Sequence, residues 1–166
     1  MKYFLNGIPV EINEGDTYQT AVRTHFPEAG ALAVMVGGES LTLSDVPQAG
    51  EKAAVIDYRS NEGRLVYERS LRFVFLLAVA QLYPKRRVRL EHSIGNGVYA
   101  VIEGDMPLTP KDVGCIEQRM REIVRQDMPF EKHSVTRAQA IAHFEALGQF
   151  DKVKLLKYRP NDQFQL

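Results

Sequence analysis

Residues 82–105 read LYPKRRVRLEHSIGNGVYAVIEGD, and this stretch decides the fold of the second half of the chain. Apolar and charged residues alternate from residue 87 onward, which is typical of a β-strand with one buried face. The Gly95-Asn96-Gly97 sequence supplies the residues that a tight turn requires, and a second apolar run follows it. The stretch therefore predicts an antiparallel hairpin in which His92 lies on the core side with Val88 and Leu90.

An apolar helix is predicted immediately before this hairpin. It runs from about Leu65 to Leu82, and Pro84 prevents its continuation. Apolar residues extend almost all round it, so we expect a central, buried helix. Its main buried stripe is predicted to comprise Leu71, Phe75, Ala78 and Leu82.

Helices dominate the predictions downstream of the hairpin. Thr109 caps a helix that begins at Pro110 and is predicted to stop near Asp127. The remaining predicted elements are a strand at Phe130–Val135, a helix opened by a capping box at Thr136–Gln139 and closed by Gly148, and a short helix at Phe150–Tyr158.

The first 59 residues predict a small unit of strands with one helix. A hairpin around Asn6-Gly7 is followed by a helix capped by Thr17. Further extended segments are predicted at Ala31–Val36, Leu41–Leu43 and Ala53–Ile56. The order strand, strand, helix, strand, strand is that of a β-grasp unit, and Arg59–Gly63 reads as a polar linker. The predicted fold class is thus α+β in two domains.

Composition bounds the class of protein. With 166 residues of which 45% are hydrophobic, the chain can bury a core. Its longest apolar run, Phe73–Ala80, is shorter than the roughly 20 residues that cross a bilayer, so no membrane partner is expected. The single Cys115 cannot form an internal disulfide, which fits a reducing compartment and a cytoplasmic location.

The charges of the chain are unevenly distributed although the total is zero. Residues 1–59 carry four basic and eight acidic residues, which leaves a net charge of about +4 on residues 60–166. The asymmetry is consistent with two domains, the second of which faces an anionic partner.

The N-terminal part resembles a known module. An opening of the type LNG..VEI.EGDT, a short helix, an apolar strand and a return AGEKAAVID are similar to the TGS domain. That β-grasp module occurs in threonyl-tRNA synthetases, certain GTPases, stringent-response enzymes and uridine kinase-like proteins. The resemblance covers residues 1–59 and implies a fold more specifically than a function.

The second part is similar to the second domain of threonyl-tRNA synthetase, which alanyl-tRNA synthetase shares and which hydrolyses mischarged tRNA. The resemblance rests on AVAQLYP, EHSIGNGVYAVIEGD, and LTPKDVGCIEQRMREIV followed by VTRAQAIAHFEALGQFDKVKLL. Arg69 and Phe73 stand where the synthetases have a His-x-x-x-His pair, and Cys115 is followed four residues on by Arg119 rather than by histidine. Neither Arg69 nor Phe73 can bind a metal or activate water, so no catalytic residue is predicted.

A further resemblance covers nearly the whole chain. RSL.F, EHSI..G.Y..IEGD and KLLKYR are similar to the N-terminal region of long bacterial uridine kinase-like proteins. This resemblance implies domains at 1–59 and 64–158 and a tail at 159–166 that leads to a kinase domain absent from this chain. No Gly-x-x-x-x-Gly-Lys-Ser/Thr sequence occurs. The chain as given is therefore expected to be no enzyme, with ATP and magnesium bound only by the absent kinase domain.

Two groups of residues are candidates for binding. Lys85, Arg86, Arg87 and Arg89 form the densest positive cluster and suit an RNA backbone or another anion, although a solvated strand edge protected by charge fits equally well. The second group comprises the candidate cleft residues His92, Ser93 and Tyr99. His92 fits a partly buried histidine better than a catalytic base, and Ser93 fits the start of a turn better than a donor to an oxyanion. Tyr99 could stack on a base, although packing against a helix is the commoner role on a strand.

No metal site is predicted because His25, His133 and His143 lie far apart in the sequence.

Three functional hypotheses remain. The first is a non-catalytic regulatory or RNA- or ligand-binding region of a uridine kinase-like protein, contacting its kinase domain. The second is a free-standing tRNA-binding or mischarged-tRNA-editing protein. The third is an oligomerisation module that forms a homo-oligomer. Expected partners are tRNA, another RNA or a small nucleotide-like ligand.

Overall fold

The computed structural model describes residues 2–95, 97–131 and 133–165. They divide into two compact units, Met1–Arg125 and Gln126–Leu166. The first unit contains β1 (Lys2–Leu5), β2 (Ile8–Glu11), α1 (Tyr18–His25), β3 (Ala31–Val36), β4 (Glu39–Leu41), β5 (Lys52–Asp57), α2 (Asn61–Leu82), β6 (Arg87–Ile94), β7 (Gly97–Glu103) and α3 (Pro110–Arg125). The second contains β8 (Ser134–Thr136), α4 (Arg137–Ala146), α5 (Phe150–Tyr158) and β9 (Gln163–Gln165). The predicted α+β class is confirmed.

The strands of the N-terminal part form one five-stranded mixed sheet in the order β2-β1-β5-β3-β4. β1 and β5 are parallel, and the hairpins β1–β2 and β3–β4 are antiparallel. The predicted turn between β1 and β2 is confirmed, because Asn6 and Gly7 have φ values of 51° and 79°. The Asn6 Oδ1 atom also accepts a hydrogen bond of 2.8 Å from the Val55 N–H, which ties the turn to β5.

One face of this sheet packs against α1. Alternate strand residues Tyr3, Leu5 and Val10 are fully buried and share a core with Tyr18. Thr17 precedes α1 as predicted but its side chain makes no capping hydrogen bond, which corrects that prediction. Backbone carbonyls supply the cap instead, since the Tyr18 N–H donates to Asp45 O at 3.1 Å and the Gln19 N–H donates to Leu43 O at 2.8 Å.

Helix α2 begins at Asn61, four residues before the predicted start. The Ser60 Oγ atom accepts a hydrogen bond from the Gly63 N–H at 3.0 Å and caps the helix, so residues 61–63 of the predicted linker are helical. The first turn of α2 follows β5 closely, and the helix contacts both β3 and β5. Whether a domain boundary lies at residues 59–64 stays a prediction.

The predicted burial of α2 was only partly right. Ala78 is fully buried and Phe75 packs against the core, but Leu71 is 41% exposed and Leu82 is 38% exposed. Phe73, on another side of the helix, is 63% exposed. Helix α3 and the β6–β7 hairpin cover only part of the helix, because its apolar residues extend all round its circumference.

A second hydrophobic core lies between α2, α3 and the hairpin. Its buried residues are Ala78, Val79, Ile116 and Ile123. The spacing of Ile116 and Ile123 along α3 accounts for this, because residues seven apart lie on one helix face. None of the helices in the described part of the chain is long and apolar enough to cross a membrane.

The second unit is a helical hairpin with a two-stranded ribbon. The predicted capping box is confirmed, since Thr136 and Gln139 exchange side-chain-to-backbone hydrogen bonds, and Gly148 follows α4 with φ 66°. The predicted strand at Phe130–Val135 is wrong in its bounds, and Lys132 lies outside the described residues. β8 pairs with β9, which lies within the residues predicted as a tail, and this nonlocal pairing sets the start of the strand.

Candidate nucleic-acid interface

The β6–β7 hairpin has one face on the core and one face in solvent. Val88 lies opposite Ile102 and both pack against the α2–α3 core, while Leu90 lies opposite Ala100. The alternate residues therefore point away from the core. We call this surface the outer hairpin face, which comprises Arg87, Arg89, Glu91, His92, Tyr99 and Glu103. The predicted turn falls partly outside the described residues, because Asn96 is one of those not described.

A β-bulge places His92 on the outer hairpin face and corrects the prediction that it points to the core. The register shifts between Leu90, which pairs with Ala100, and Ser93, which pairs with Val98. Two residues, Glu91 and His92, therefore lie opposite Tyr99 alone, and the simple alternation breaks there. His92 is exposed as a result.

The bulge brings two predicted cleft residues together. The ring centroids of His92 and Tyr99 are 5.4 Å apart, with an angle of 32° between the ring planes. Tyr99 is 47% exposed and His92 is exposed, so the two neighbouring rings are accessible to solvent instead of packing under a helix. Ser93, the third predicted cleft residue, is exposed at the next position of β6.

The four predicted anion-binding cations occupy different environments. Arg89 forms ion pairs with Glu91 at 3.4 Å and with Glu103 at 3.2 Å, which reduces its local positive charge. Lys85 and Arg87 are exposed. The cluster is therefore a surface on which cations and carboxylates alternate. It is not a uniformly positive strand edge.

Arg86 serves the packing of the hairpin more than its outer face. Its guanidinium lies over the Tyr83 ring, 5.7 Å from the ring centroid. A Cβ atom at Gly104 would come within 3.0 Å of the Arg86 guanidinium, so the glycine makes room for this side chain. Among the described residues the Arg86 Nη1 atom has no hydrogen-bond partner although it is buried.

A polar network next to Arg86 fixes the start of α3. The Asp112 carboxylate accepts hydrogen bonds from the Thr109 hydroxyl at 2.5 Å, the Thr109 N–H at 2.8 Å and the Tyr83 hydroxyl at 2.8 Å. The Asp112 N–H in turn donates to the Thr109 hydroxyl at 3.3 Å, which confirms the predicted threonine cap. The hydrogen bonds from Thr109, followed by that from Tyr83, lower the pKa of Asp112 to about 2.

This network predicts a pH-dependent contribution to stability. Because the pKa of folded Asp112 lies below its ordinary value of 3.8, the carboxylate stabilises the fold above that value and loses the contribution as the pH falls towards 2. The difference in unfolding free energy between the wild type and Asp112→Asn should be constant above about pH 5 and shrink at lower pH. Urea denaturation from pH 7 to pH 2.5 measures it. The exposed Asp105→Asn is the control, and a difference that stays constant to pH 2.5 would contradict the network.

The positions that correspond to the editing histidines are on α2. Arg69 and Phe73 are one helical turn apart and both are exposed. Cys115 is exposed on α3, and Arg119 donates from Nε to Gln81 Oε1 at 2.8 Å and pairs with Glu122 at 2.9 Å. Within the described ranges no group of three or more His, Cys, Asp or Glu residues is placed to hold a metal.

Sequence reasoning missed the aromatic pair and the carboxylates that neutralise Arg89. The carboxylates could have been found, because a hairpin places Glu103 on the same face as Arg87 and Arg89. The His92–Tyr99 pair depends on the bulge, for which the sequence offers no distinct signal. The register of the two strands determines it.

Comparison with known proteins shows similarity to several threonine–tRNA ligases. The chain is 32% identical to the threonine–tRNA ligase of Methylococcus capsulatus over 133 residues, which is 80% of this chain and 21% of the relative. It is 35% identical to the enzyme of Nitratidesulfovibrio vulgaris over 130 residues, 78% of this chain and 20% of the relative. With the threonine–tRNA ligase of Desulforamulus reducens it shares 26% identity over 165 residues, 93% of this chain and 26% of the relative.

The chain is thus homologous to the N-terminal region of threonyl-tRNA synthetases. It spans between a fifth and about a quarter of the length of these relatives. No family model matches the chain. The relatives support the tRNA-related hypothesis, and nothing in them supports a TGS assignment or a uridine kinase parent.

Proposed function

We propose that this chain, homologous to the N-terminal region of threonyl-tRNA synthetases, is a tRNA-binding module that does not hydrolyse mischarged tRNA. The homology carries the proposal, because the relatives are named as ligases that act on tRNA. The net charge of about +4 on residues 60–166 supports an anionic partner for this part of the chain. Binding requires no cofactor in this proposal.

The outer hairpin face supports a contact with unpaired RNA. Tyr99 and His92 place two neighbouring, exposed rings on this face, and a base can stack on the Tyr99 ring. Lys85 and Arg87 lie at the start of the same hairpin and can meet phosphates through their charged groups. The carboxylates around Arg89 weaken nonspecific attraction to any polyanion. The face therefore suits a base flanked by backbone better than a uniform duplex.

The residues on α2 argue against hydrolysis. General-base catalysis or metal-assisted attack by water needs a group that accepts a proton or binds a cation. Arg69 offers a cation and Phe73 an apolar ring at the positions where the synthetases have the histidine pair. We therefore expect seryl-tRNA to persist in the presence of this chain as long as in buffer.

Charge reversal on the hairpin tests the binding role. Lys85→Glu combined with Arg87→Glu should weaken tRNA binding at least about tenfold and make the slope of log K against log salt shallower by about 2. Fluorescence anisotropy with a labelled tRNA transcript measures both quantities. The control is Arg23→Glu combined with Lys52→Glu, two exposed cations outside the hairpin. Equal weakening by the control pair would contradict the assignment of the outer hairpin face.

The aromatic pair gives a second readout of the same site. Tyr99→Ala should weaken binding about tenfold, within the 1–3 kcal/mol that one stacked base contributes. Tyr99→Phe keeps the ring and should bind like the wild type. If both variants bind like the wild type, the aromatic surface does not contact RNA and the cations act alone.

A second candidate places the same module in a uridine kinase-like protein as its regulatory region. The motif KLLKYR at residues 154–159 favours it, because this sequence contributes to the resemblance to that group. Reading the gene beyond codon 166 distinguishes the candidates. A strand followed by Gly-x-x-x-x-Gly-Lys-Ser/Thr would favour the kinase, whereas synthetase-like sequence would favour the ligase relatives.

A further inference from the structure

Helix α5 carries a concentrated positive charge at the end of the second unit. Residues 152–159 contain four basic and no acidic residues, namely Lys152, Lys154, Lys157 and Arg159. All four are exposed. The four cations of this segment are spread over eight residues, where those of the hairpin cluster occupy five, and no carboxylate interrupts the run.

Three of the exposed residues of α5 form a continuous surface. Lys154, Lys157 and Tyr158 stand at positions i, i+3 and i+4, which are neighbours on a helix. Val153 and Leu156 are buried, so the packed side of the helix is a different one. Tyr158 is 79% exposed, which leaves nearly its whole ring in solvent. We call Lys154, Lys157 and Tyr158 the α5 surface.

Lys152 has a separate role in packing. Its Nζ atom lies 5.0 Å from the centroid of the Phe144 ring on α4. Lys152 therefore helps α5 to pack against α4. Among the described residues, no comparable packing contact involves Lys154 or Lys157. Lys157 lies in the last turn, where its charge interacts favourably with the helix dipole. Lys154 lies one turn earlier, where this interaction is weaker.

The end of α5 is held in place by the start of α4. The Arg137 Nη2 atom donates hydrogen bonds to Arg159 O at 2.7 Å and Asn161 O at 2.8 Å, and it pairs with Asp162 Oδ1 at 3.1 Å. The backbone that follows the α5 surface is therefore fixed. Binding of a ligand there costs less conformational entropy than binding to a mobile segment would.

We propose that the α5 surface is a second RNA contact of this chain. The two ammonium groups bind neighbouring phosphates of the backbone, and the Tyr158 ring stacks on an unpaired base. This inference rests on the proposed function, because it assigns a further contact to the same class of partner. RNA is the proposed partner because two ammonium groups beside an exposed aromatic ring match a phosphate backbone with a stacked base. Leu155 and Phe150 of the same helix are exposed apolar residues, so a membrane is the competing partner that the test includes.

The test uses the whole chain and two variants of the α5 surface. Lys154→Glu combined with Lys157→Glu should weaken binding of a labelled tRNA transcript at least fivefold and make the salt slope shallower by about 2. Tyr158→Ala should weaken it by a similar factor, and Tyr158→Phe should not. The control is again Arg23→Glu combined with Lys52→Glu, and circular dichroism melting checks that every variant is folded.

The outcomes separate this inference from the proposed function. If the charge-reversed α5 variant binds tRNA like the wild type while the Lys85 and Arg87 variant binds weakly, the α5 surface is not an RNA contact and the proposed function stands. If the wild type does not bind tRNA, both fail. Binding to vesicles of phosphatidylserine and phosphatidylcholine that the α5 variant loses, with tRNA binding unchanged, would assign the surface to a membrane and overturn the inference.

Discussion

Gly63→Ala should lower the free energy of unfolding by about 3 kcal/mol or more. A Cβ atom at residue 63 would lie 1.8 Å from the Asp57 carbonyl oxygen and 2.6 Å from its carbonyl carbon. Both atoms belong to the backbone at the end of β5, so no side-chain rotation can relieve the overlap. Either the first turn of α2 or the end of β5 must move, and the Gly63 N–H bond to Ser60 Oγ is lost with it.

A second glycine provides the matched control. Gly114 lies inside α3, and no atom of the described residues comes within 4 Å of a Cβ atom placed there. Gly114→Ala should therefore stabilise the protein by up to about 1 kcal/mol, the usual difference between the two residues in a helix. Urea denaturation at pH 7 compares the two variants. Unfolding free energies within about 0.5 kcal/mol of each other would contradict the close approach of α2 to β5.

Tyr18→Ala should destabilise the N-terminal sheet by about 3–5 kcal/mol. The Tyr18 side chain is fully buried, and its ring meets the Tyr3 ring edge-on with centroids 5.9 Å apart. Truncation removes this aromatic contact and leaves a cavity between α1 and the sheet. Urea denaturation followed by tyrosine fluorescence or circular dichroism measures the loss.

The matched control for Tyr18 keeps the ring and removes the hydroxyl. The Tyr18 hydroxyl is buried and has no hydrogen-bond partner among the described residues, so it gains nothing to offset its loss of water. Tyr18→Phe should therefore be as stable as the wild type or more stable by up to about 1 kcal/mol. A loss of more than about 1 kcal/mol in this variant would show that the hydroxyl has a partner after all.

Features that depend on neighbouring residues could be predicted from the sequence. Asn6 and Gly7 specify their turn through positive φ values, and Thr136 and Gln139 cap α4 through hydrogen bonds across three residues. The threonine cap of α3 is of the same kind. In each case the physical cause lies within one turn of the backbone.

Features that depend on distant residues could not be predicted in this way. His92 was placed on the wrong face because the bulge is set by pairing with β7. The strand at Gln163–Gln165 forms because β8 lies beside it, although two of its three residues are polar. The cap of α1 comes from backbone carbonyls more than twenty residues away, whereas the adjacent Thr17 side chain contributes no hydrogen bond.

The candidate site shows both kinds of feature. The sequence predicted Lys85, Arg86, Arg87 and Arg89 as one cluster. The structure places Lys85 and Arg86 just before the hairpin and Arg87 and Arg89 on its first strand, and Arg86 and Arg89 have different contacts. Tyr99 was predicted as a possible stacking residue, and the bulge provides His92 as its neighbour. Whether any of them contacts RNA stays a prediction.

The measurement that addresses the central claim most directly is a binding titration of labelled tRNA transcript with the whole chain at several salt concentrations. We predict saturable binding with a dissociation constant below about 10 μM near 0.1 M salt, and a log–log salt slope of about −3 or steeper. In the same samples seryl-tRNA should be hydrolysed no faster than in buffer. Absence of saturable binding up to about 100 μM would contradict the claim that this is a tRNA-binding module, and accelerated deacylation would contradict the claim that it is not hydrolytic.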